Sequence, residues 1–194
     1  MRVKVNCEYS ATVRESFSKR GHYALSCDLL DTEIPGNHYK GDCFDINDLF
    51  DIQICHPPCT YLANSGVRWL YNPDGSINHN RWDKMVEGAL FFKRFLELPG
   101  MIAVENPIMH KHALAIIGVK PTQIIQPWMF GHGESKATCL WLKNLPLLKP
   151  TNIVEGREQR IWKLPPGKDR WKERSRTYSG IADAMAEQWG SLSL

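Results

Sequence analysis

Two short apolar runs, each stopped by a proline-containing polar motif, restrict the fold of this chain more than any other feature of its sequence. Residues 50–54 lead into His-Pro-Pro-Cys at 56–59, and residues 101–104 lead into Glu-Asn-Pro at 105–107. Each proline fixes its own φ and pushes the preceding residue out of the helical region, so neither run can continue as a helix. We therefore predict two buried strands, the first presenting a thiol at its carboxyl end and the second a carboxyl group.

The thiol of Cys59 is the first candidate functional group. In open α/β sheets ligands bind at the carboxyl ends of strands, and a neighbouring helix N-terminus or cation can activate a cysteine there. Cysteine is also among the most buried residue types, so an inert core thiol is the alternative for this loop taken alone. The second strand end, which carries Glu105, favours the functional interpretation.

Size and composition limit the class of protein. A chain of 194 residues predicts one domain with a substantial core. Its six cysteines lack paired metal-ligand spacing, which indicates reduced thiols and no bound metal. The residues after Cys59 are Thr-Tyr-Leu, which excludes the Pro-Cys-x-x-Cys motif of zinc deaminases. No apolar stretch approaches the roughly 18 residues of a membrane span, so we expect a cytoplasmic protein without a membrane partner.

Positive charge is concentrated late in the chain. The net charge is +3, but residues 143–176 hold ten Lys/Arg against four Asp/Glu, a local charge of +6. A basic segment that also carries tryptophan suits a phosphate backbone, whereas a solvated surface is the alternative. The arginines that we expect to contact nucleic acid are Arg160, Arg170, Arg174 and Arg176.

The chain opens with the strand–turn–helix pattern of a nucleotide-binding unit. Residues 3–7 predict a strand, Ser10 stands at the N-cap position, and residues 11–20 predict a helix. A second strand over 23–28 ends in Asp28, whose carboxyl group suits the hydroxyls of a ribose. Farther along, periodicity and turn signals predict helices over 80–98, 109–117 and 181–189 and strands over 122–126 and 138–142.

The order of these motifs resembles the DNA cytosine-C5 methyltransferases. The fourth and sixth motifs of that family are a Pro-Cys nucleophile and a Glu-Asn dipeptide, matched here by residues 58–59 and 105–106. Enzymes that methylate amino groups would need Asp/Asn-Pro-Pro-aromatic, which residues 56–59 do not provide. The resemblance spans residues 3–189 and implies a Rossmann-like, S-adenosylmethionine-dependent methyltransferase fold. We expect one domain, residues 1–194, with a single mostly parallel sheet and flanking helices.

The resemblance also implies a cofactor site. S-Adenosylmethionine would lie against the first turn and the ends of the first strands, and Ala11 stands where the family has glycine. An aspartate after the second strand, Asp42, would face the adenine amino group. The residues expected to bind the cofactor are Tyr9, Ser10, Ala11, Asp28, Asp42 and Pro57.

By the same resemblance, catalysis would depend on three residues. C5 of cytosine is a poor nucleophile, so the Cys59 thiolate would first add at C6. Glu105 would hold N3, donating a hydrogen bond if burial raises its pKa. Lys136, at the start of a predicted strand, stands where the family has arginines that touch the pyrimidine O2. In a duplex the base would have to flip out of the stack.

The main departure from the family concerns target recognition. Family members insert a recognition domain before their closing motif, which is matched here by residues 174–189, but only residues 143–169 intervene, too few for a separate domain. The substrate is therefore left open between duplex DNA, single-stranded DNA and a cytosine nucleotide. Two alternatives to methyl transfer also remain: a non-catalytic module binding nucleic acid, nucleotide or a host protein, and C5 modification with another donor. Small proteins of this kind are commonly encoded by bacteriophages, which would place the chain in the cytoplasm of a bacterial host.

Overall fold

The computed structural model describes residues 1–192 as a sheet between two layers of helices. The strands are β1 (Arg2–Asn6), β2 (Tyr23–Asp28), β3 (His38–Lys40), β4 (Ile52–Cys55), β5 (Met101–Pro107), β6 (Gln123–Ile125) and β7 (Thr138–Lys143). The helices are α1 (Thr12–Ser18), α2 (His79–Leu96), α3 (Lys111–Ile117), α4 (Arg160–Lys163), α5 (Arg170–Ser175) and α6 (Ser179–Gln188). Among these helices none is long and apolar enough to cross a membrane.

The seven strands lie in the order β3-β2-β1-β4-β5-β7-β6. Every pair is parallel except those of β7, which runs antiparallel to both β5 and β6. The predicted α/β, Rossmann-like sheet with flanking helices is thus confirmed. The direction of winding reverses between β1 and β4, and ligands of open α/β sheets bind in the crevice at such a switch point.

Apolar side chains from alternate positions of the strands cover both faces of the sheet. On β5, Ala103 joins the core formed with α1 and α6, whereas Ile102 and Val104 join the core formed with α2 and α3. This alternation follows from the period of two along a strand. Burying both faces leaves only the strand ends and the loops beyond them for ligand contacts.

Several boundaries differ from the sequence-based prediction. Strand β5 continues to Pro107, because residues 105–107 pair with 138–140 of β7. The strand predicted over 138–142 begins at Thr138 as predicted and continues to Lys143, so Lys136 lies two residues before it. Ser10 is not the N-cap of α1: Ala11 holds that position with φ 61°, and its side chain makes no capping hydrogen bond. The strand β3 and the short helices α4 and α5 were not predicted, because each is too short to show a periodicity.

A buried arginine on α1 holds the connection between β2 and β3. Arg14 is 1% exposed. Its guanidinium donates to the Ser26 hydroxyl (3.2 Å) and to the backbone oxygens of Ile34 (2.7 Å) and Asn37 (3.4 Å). It also pairs with Glu15 at 2.9 Å. These bonds fix the loop that follows Asp28 at the edge of the crevice.

We expect Arg14→Met to lower the free energy of unfolding by about 2–4 kcal/mol, because buried oxygens lose their donor and Glu15 loses its partner. Urea denaturation followed by circular dichroism measures this. The matched control is Arg20→Met, whose exposed pair with Asp183 at 3.1 Å should contribute less than about 1 kcal/mol. Equal effects of the two substitutions would contradict the structural role of Arg14.

Candidate active site at the ends of strands β1, β4 and β5

The register of β4 and β5 brings the two proline-containing motifs together. Cys55 pairs with Val104, so the next residues along each strand lie side by side. The Asn106 side-chain amide donates to the backbone oxygen of Pro57 at 2.8 Å. His56 Nδ1 lies 3.4 Å from Glu105 Oε2. One amide hydrogen bond and one ion pair therefore join the two strand ends.

Cys59 occupies a tight turn just beyond β4. Its backbone oxygen accepts hydrogen bonds from the backbone N–H groups of Leu62 (3.0 Å) and Ala63 (2.9 Å). The residue is half-buried. Burial raises the pKa of the Cys59 thiol, while the positive charges of Arg174 and Lys136 act in the opposite direction. The two cations therefore favour the thiolate in a setting that otherwise disfavours it.

Glu105 is ionised by its neighbours. Burial alone would raise the pKa of Glu105, but the hydrogen bond and charge of His56, together with the charge of Lys136, outweigh it and leave the pKa lowered. The Thr177 hydroxyl donates weakly to its carboxylate at 3.5 Å. The sequence predicted Glu105 as a hydrogen-bond donor on the condition that burial raises its pKa. That condition is not met, because the pKa of Glu105 is lowered. The reason is a cationic partner that the sequence argument did not include.

Lys136 precedes β7 and reaches across to the segment before α6. Its ammonium donates to the backbone oxygen of Arg176 at 3.0 Å. Burial lowers the pKa of Lys136, and the charges of Glu105 and Cys59 partly restore it. The structure thus brings together the three predicted catalytic residues from β5, the β4 loop and the approach to β7.

The turn after β1 carries a buried carboxylate that the sequence analysis missed. Glu8, 4% exposed, accepts hydrogen bonds from the backbone N–H groups of Val13 (2.7 Å) and Arg14 (3.1 Å). It therefore provides the cap predicted for Ser10, whose hydroxyl lies 3.2 Å from that of Thr12. Burial raises the pKa of Glu8, although the two backbone N–H donors and the charge of His56 act to lower it.

The remaining predicted cofactor residues lie at the strand ends, but each already has a role within the chain. Ala11 adopts a left-handed conformation that favours glycine. Asp28 accepts a hydrogen bond from the backbone N–H of Leu30 at 3.0 Å, and burial raises its pKa. Asp42 is exposed and caps the 3₁₀ turn Cys43–Asp45. Pro57 is buried and supplies the backbone oxygen bound by Asn106.

The segment around α5 covers this crevice. The Trp171 ring faces the Tyr9 ring with centroids 5.6 Å apart. The Tyr9 and Ser175 hydroxyls lie 3.1 Å apart, and Arg176 pairs with Glu33 at 2.6 Å. Beneath this cover the cavity measures about 40 Å³, whereas sites for cofactor-sized ligands occupy roughly 300 Å³ or more. The groups expected around S-adenosylmethionine are present, but room for it requires residues 171–177 to move away from Tyr9.

A larger cavity of about 330 Å³ lies elsewhere, between α2, α3 and β7. It is lined mainly by apolar side chains and lysines such as Lys93 and Lys120. None of the predicted site residues lines it. We therefore place the candidate site at the strand ends, where the reactive groups are.

The four predicted nucleic-acid-binding arginines have different surroundings. Arg160 pairs with Glu134 and Glu173, and Arg176 pairs with Glu33, so these charges are partly neutralised within the chain. Arg174 is exposed, and its charge acts on Cys59. Arg170 begins α5. The structure therefore brings only Arg174 to the nucleophile.

Sequence reasoning missed two buried members of the site, Glu8 and His56. Both come within two residues of the end of a buried strand, at the same edge of the sheet as Cys59, and that position was the signal that could have identified them. Glu8 comes two residues after β1 and His56 one residue after β4. Within residues 1–192 no group of three or more His, Cys, Asp or Glu could hold a metal ion.

Comparison with protein-family models gives no match, and a search of curated proteins finds no match either.

We expect Lys136→Met to slow alkylation of Cys59 by iodoacetamide about threefold or more near pH 8, because removing a nearby positive charge disfavours the thiolate. Peptide mass spectrometry of time points identifies the alkylated cysteine. Lys120→Met, an exposed lysine away from the site, is the control. An unchanged rate in the Lys136 variant would show that this charge does not act on the thiol.

Proposed function

We propose that this chain transfers a methyl group from S-adenosylmethionine to C5 of cytosine through a covalent adduct on Cys59. The observation that carries the proposal is the convergence of a thiol, a carboxylate and an ammonium group from three separate elements. They lie close enough that the charges of Lys136 and Glu105 act on the pKa of Cys59. Such clustering of coupled ionisable groups in a crevice is typical of active sites.

Each residue has a role that its chemistry supports. The thiolate of Cys59 adds to C6, and electron density moves through the ring toward N3 and O2. Lys136 faces O2 and stabilises this charge with its ammonium group, whereas Glu105 faces N3 and stabilises the charge there by passing on a proton. C5 becomes nucleophilic and gains the methyl group, a base such as water then takes the C5 proton, and the electron pair left behind expels the Cys59 thiolate. In this proposal S-adenosylmethionine supplies the methyl group when bound.

The proposed cofactor would be held at the ends of β1 and β2. Asp28 is placed for ribose hydroxyls and the Tyr9 ring for an apolar face, and the bend at Ala11 lets the backbone approach closely. The Rossmann-like sheet with one inserted, reversed strand agrees with the methyltransferase architecture that the motif resemblance implies. Opening of the cover over Tyr9 would be part of cofactor binding.

A specific observation favours a second candidate, a non-catalytic nucleic-acid-binding module. The backbone N–H groups of Val13 and Arg14, which could bind an anionic ligand, are already taken by the Glu8 carboxylate. The small covered cavity points in the same direction. In a non-catalytic module Cys59 would contact a base without attacking it. Modification of C5 with another donor is a separate alternative, in which the thiol of Cys59 would still attack C6.

Exchange of the cytosine C5 hydrogen tests the thiol chemistry without any cofactor, because addition of Cys59 at C6 makes C5 exchangeable. We expect the protein to release tritium from [5-³H]cytosine in single-stranded DNA, and Cys59→Ala to abolish the release. Cys139→Ala, a substitution of a buried thiol outside the site, is the control.

Methyl transfer is then measured with [methyl-³H]S-adenosylmethionine and the same DNA. Exchange together with methyl incorporation supports the proposal. Exchange without binding of S-adenosylmethionine at millimolar concentration would point to another donor. No Cys59-dependent exchange with single-stranded DNA, duplex DNA or a cytosine nucleotide would overturn the enzymatic proposal in favour of binding alone.

Exposed aromatic and basic side chains in the segments that follow Cys59 along the chain favour a single-stranded substrate. Trp69 is 52% exposed, and the Arg68 guanidinium lies 4.4 Å from its ring centroid. Arg81 and Lys84 lie over the Tyr61 ring at 5.0 and 5.8 Å. Aromatic rings interleaved with cations are typical of surfaces on which unpaired bases stack.

We expect Trp69→Ala to weaken binding of a cytosine-rich single strand about fivefold or more, since stacking on one aromatic ring contributes at least that much. Fluorescence anisotropy at fixed salt measures the affinity. Tyr23→Ala, which removes an exposed ring 48% accessible at the start of β2, should leave it unchanged. Tighter binding of a matched duplex by the unaltered protein would contradict the single-strand preference.

A further inference from the structure

His56 lies near two carboxylates, that of Glu8 just after β1 and that of Glu105 on β5. Its Nδ1 is 3.4 Å from Glu105 Oε2, and its side chain is 12% exposed. It shares the covered cavity with Glu8, whose charge also acts on it. The other ring nitrogen, Nε2, is buried and has no hydrogen-bond partner within the described part of the chain. Among residues 1–192, the carboxylate oxygen within ion-pair distance of the ring is that of Glu105.

The charge of this imidazole differs from that of an ordinary buried histidine. Burial alone would lower the pKa of His56, but the hydrogen bond to Glu105 and the charges of Glu105 and Glu8 outweigh it and raise the pKa. Lys136 is the cation that opposes this effect. The site therefore favours the charged imidazolium beside an ionised Glu105 more than burial alone would allow, and the two groups lie 3.4 Å apart.

The proposed addition of Cys59 to cytosine requires a proton donor at N3. When a thiolate adds to C6 of cytosine, negative charge develops at N3, and a proton delivered there stabilises the adduct. An ionised Glu105 has no proton to give. Its only partner within the site that can both hold and release a proton near neutral pH is the adjacent histidine.

We propose that His56 is a positioning residue that supplies, through Glu105, the proton received by N3 of the cytosine ring. The inference rests on the proposed function. As the Sγ–C6 bond forms, the Nδ1 proton of His56 passes to the ionised Glu105 carboxylate, and a proton passes on from Glu105 to N3, which leaves His56 neutral and Glu105 ionised again. When Cys59 leaves, the two transfers reverse, so no proton or electron pair is gained or lost over the cycle.

The pH dependence of exchange distinguishes this role from packing. The reacting form needs the Cys59 thiolate and the His56 imidazolium at once. The tritium-release rate of the unaltered protein should therefore rise with pH and level off once the pH passes the pKa of His56, because thiolate gained is offset by imidazolium lost. The charged groups that act on the imidazole from neighbouring elements are Glu8, Glu105, Lys136 and Asp28.

The decisive variant is His56→Asn, which keeps a side-chain N–H donor for Glu105 but cannot titrate. We expect its exchange rate at pH 6 to fall about tenfold or more, the lower range of proton-transfer effects. Above the pKa of His56 its rate should keep rising about tenfold per pH unit until Cys59 ionises, so that the gap to the unaltered protein closes. Thermal unfolding at each pH shows whether the variant is folded.

His110→Asn is the matched control, since His110 is also largely shielded from solvent (2% exposed) but caps α3, where asparagine is an accepted N-cap. Its pH profile should match that of the unaltered protein. A His56→Asn profile parallel to the unaltered one at every pH would overturn the proposed proton supply while leaving the Cys59 chemistry intact. Absence of Cys59-dependent exchange in the unaltered protein would instead overturn the proposed function, and this inference with it.

Discussion

The parallel register of β4 and β5 is the constraint on which the rest of the site depends. Because Cys55 pairs with Val104, each residue after β4 has a fixed neighbour at the end of β5. The hydrogen bond between Asn106 and Pro57 then sets the direction of the loop that carries the nucleophile. A shift of one residue would turn the alternating side chains to the opposite faces and expose apolar groups. Core packing and site geometry therefore specify the same register.

The buried charges of the site compensate one another. Two carboxylates, Glu8 and Glu105, lie near His56 and Lys136, and each charge has an opposite charge or hydrogen-bond donors beside it. Isolated charges in this setting would be costly, and loss of one member leaves its partner uncompensated. This arrangement explains why burial, which by itself favours neutral Glu105 and neutral His56, does not decide their protonation. The partners decide it.

The two functional proposals require different positions of the segment that covers the crevice, because methyl transfer needs it to open for the cofactor and nucleic-acid binding alone does not. Tyr9, Trp171 and the pair of Arg176 with Glu33 close the space in which a cofactor would lie. The same segment carries Arg174 toward Cys59 and receives the Lys136 hydrogen bond at Arg176. Movement of this one segment would therefore change the cofactor space and the electrostatic surroundings of the thiol together. Glu8 adds a second constraint, because it already holds the amides at the start of α1.

The sequence by itself determined the strands that end in the two motifs, the amphipathic helix α2 and the α/β class. Proline stops, apolar runs and a period of 3.6 residues are local signals, and each is readable without the fold. The tertiary structure alone decided the extension of β5 through Glu105, which needs pairing with β7. It also decided the replacement of Ser10 by Glu8 as the cap of α1 and the ionised state of Glu105 beside His56. These three features depend on residues distant in sequence, and the fields and hydrogen bonds between such residues exist only once the chain has folded.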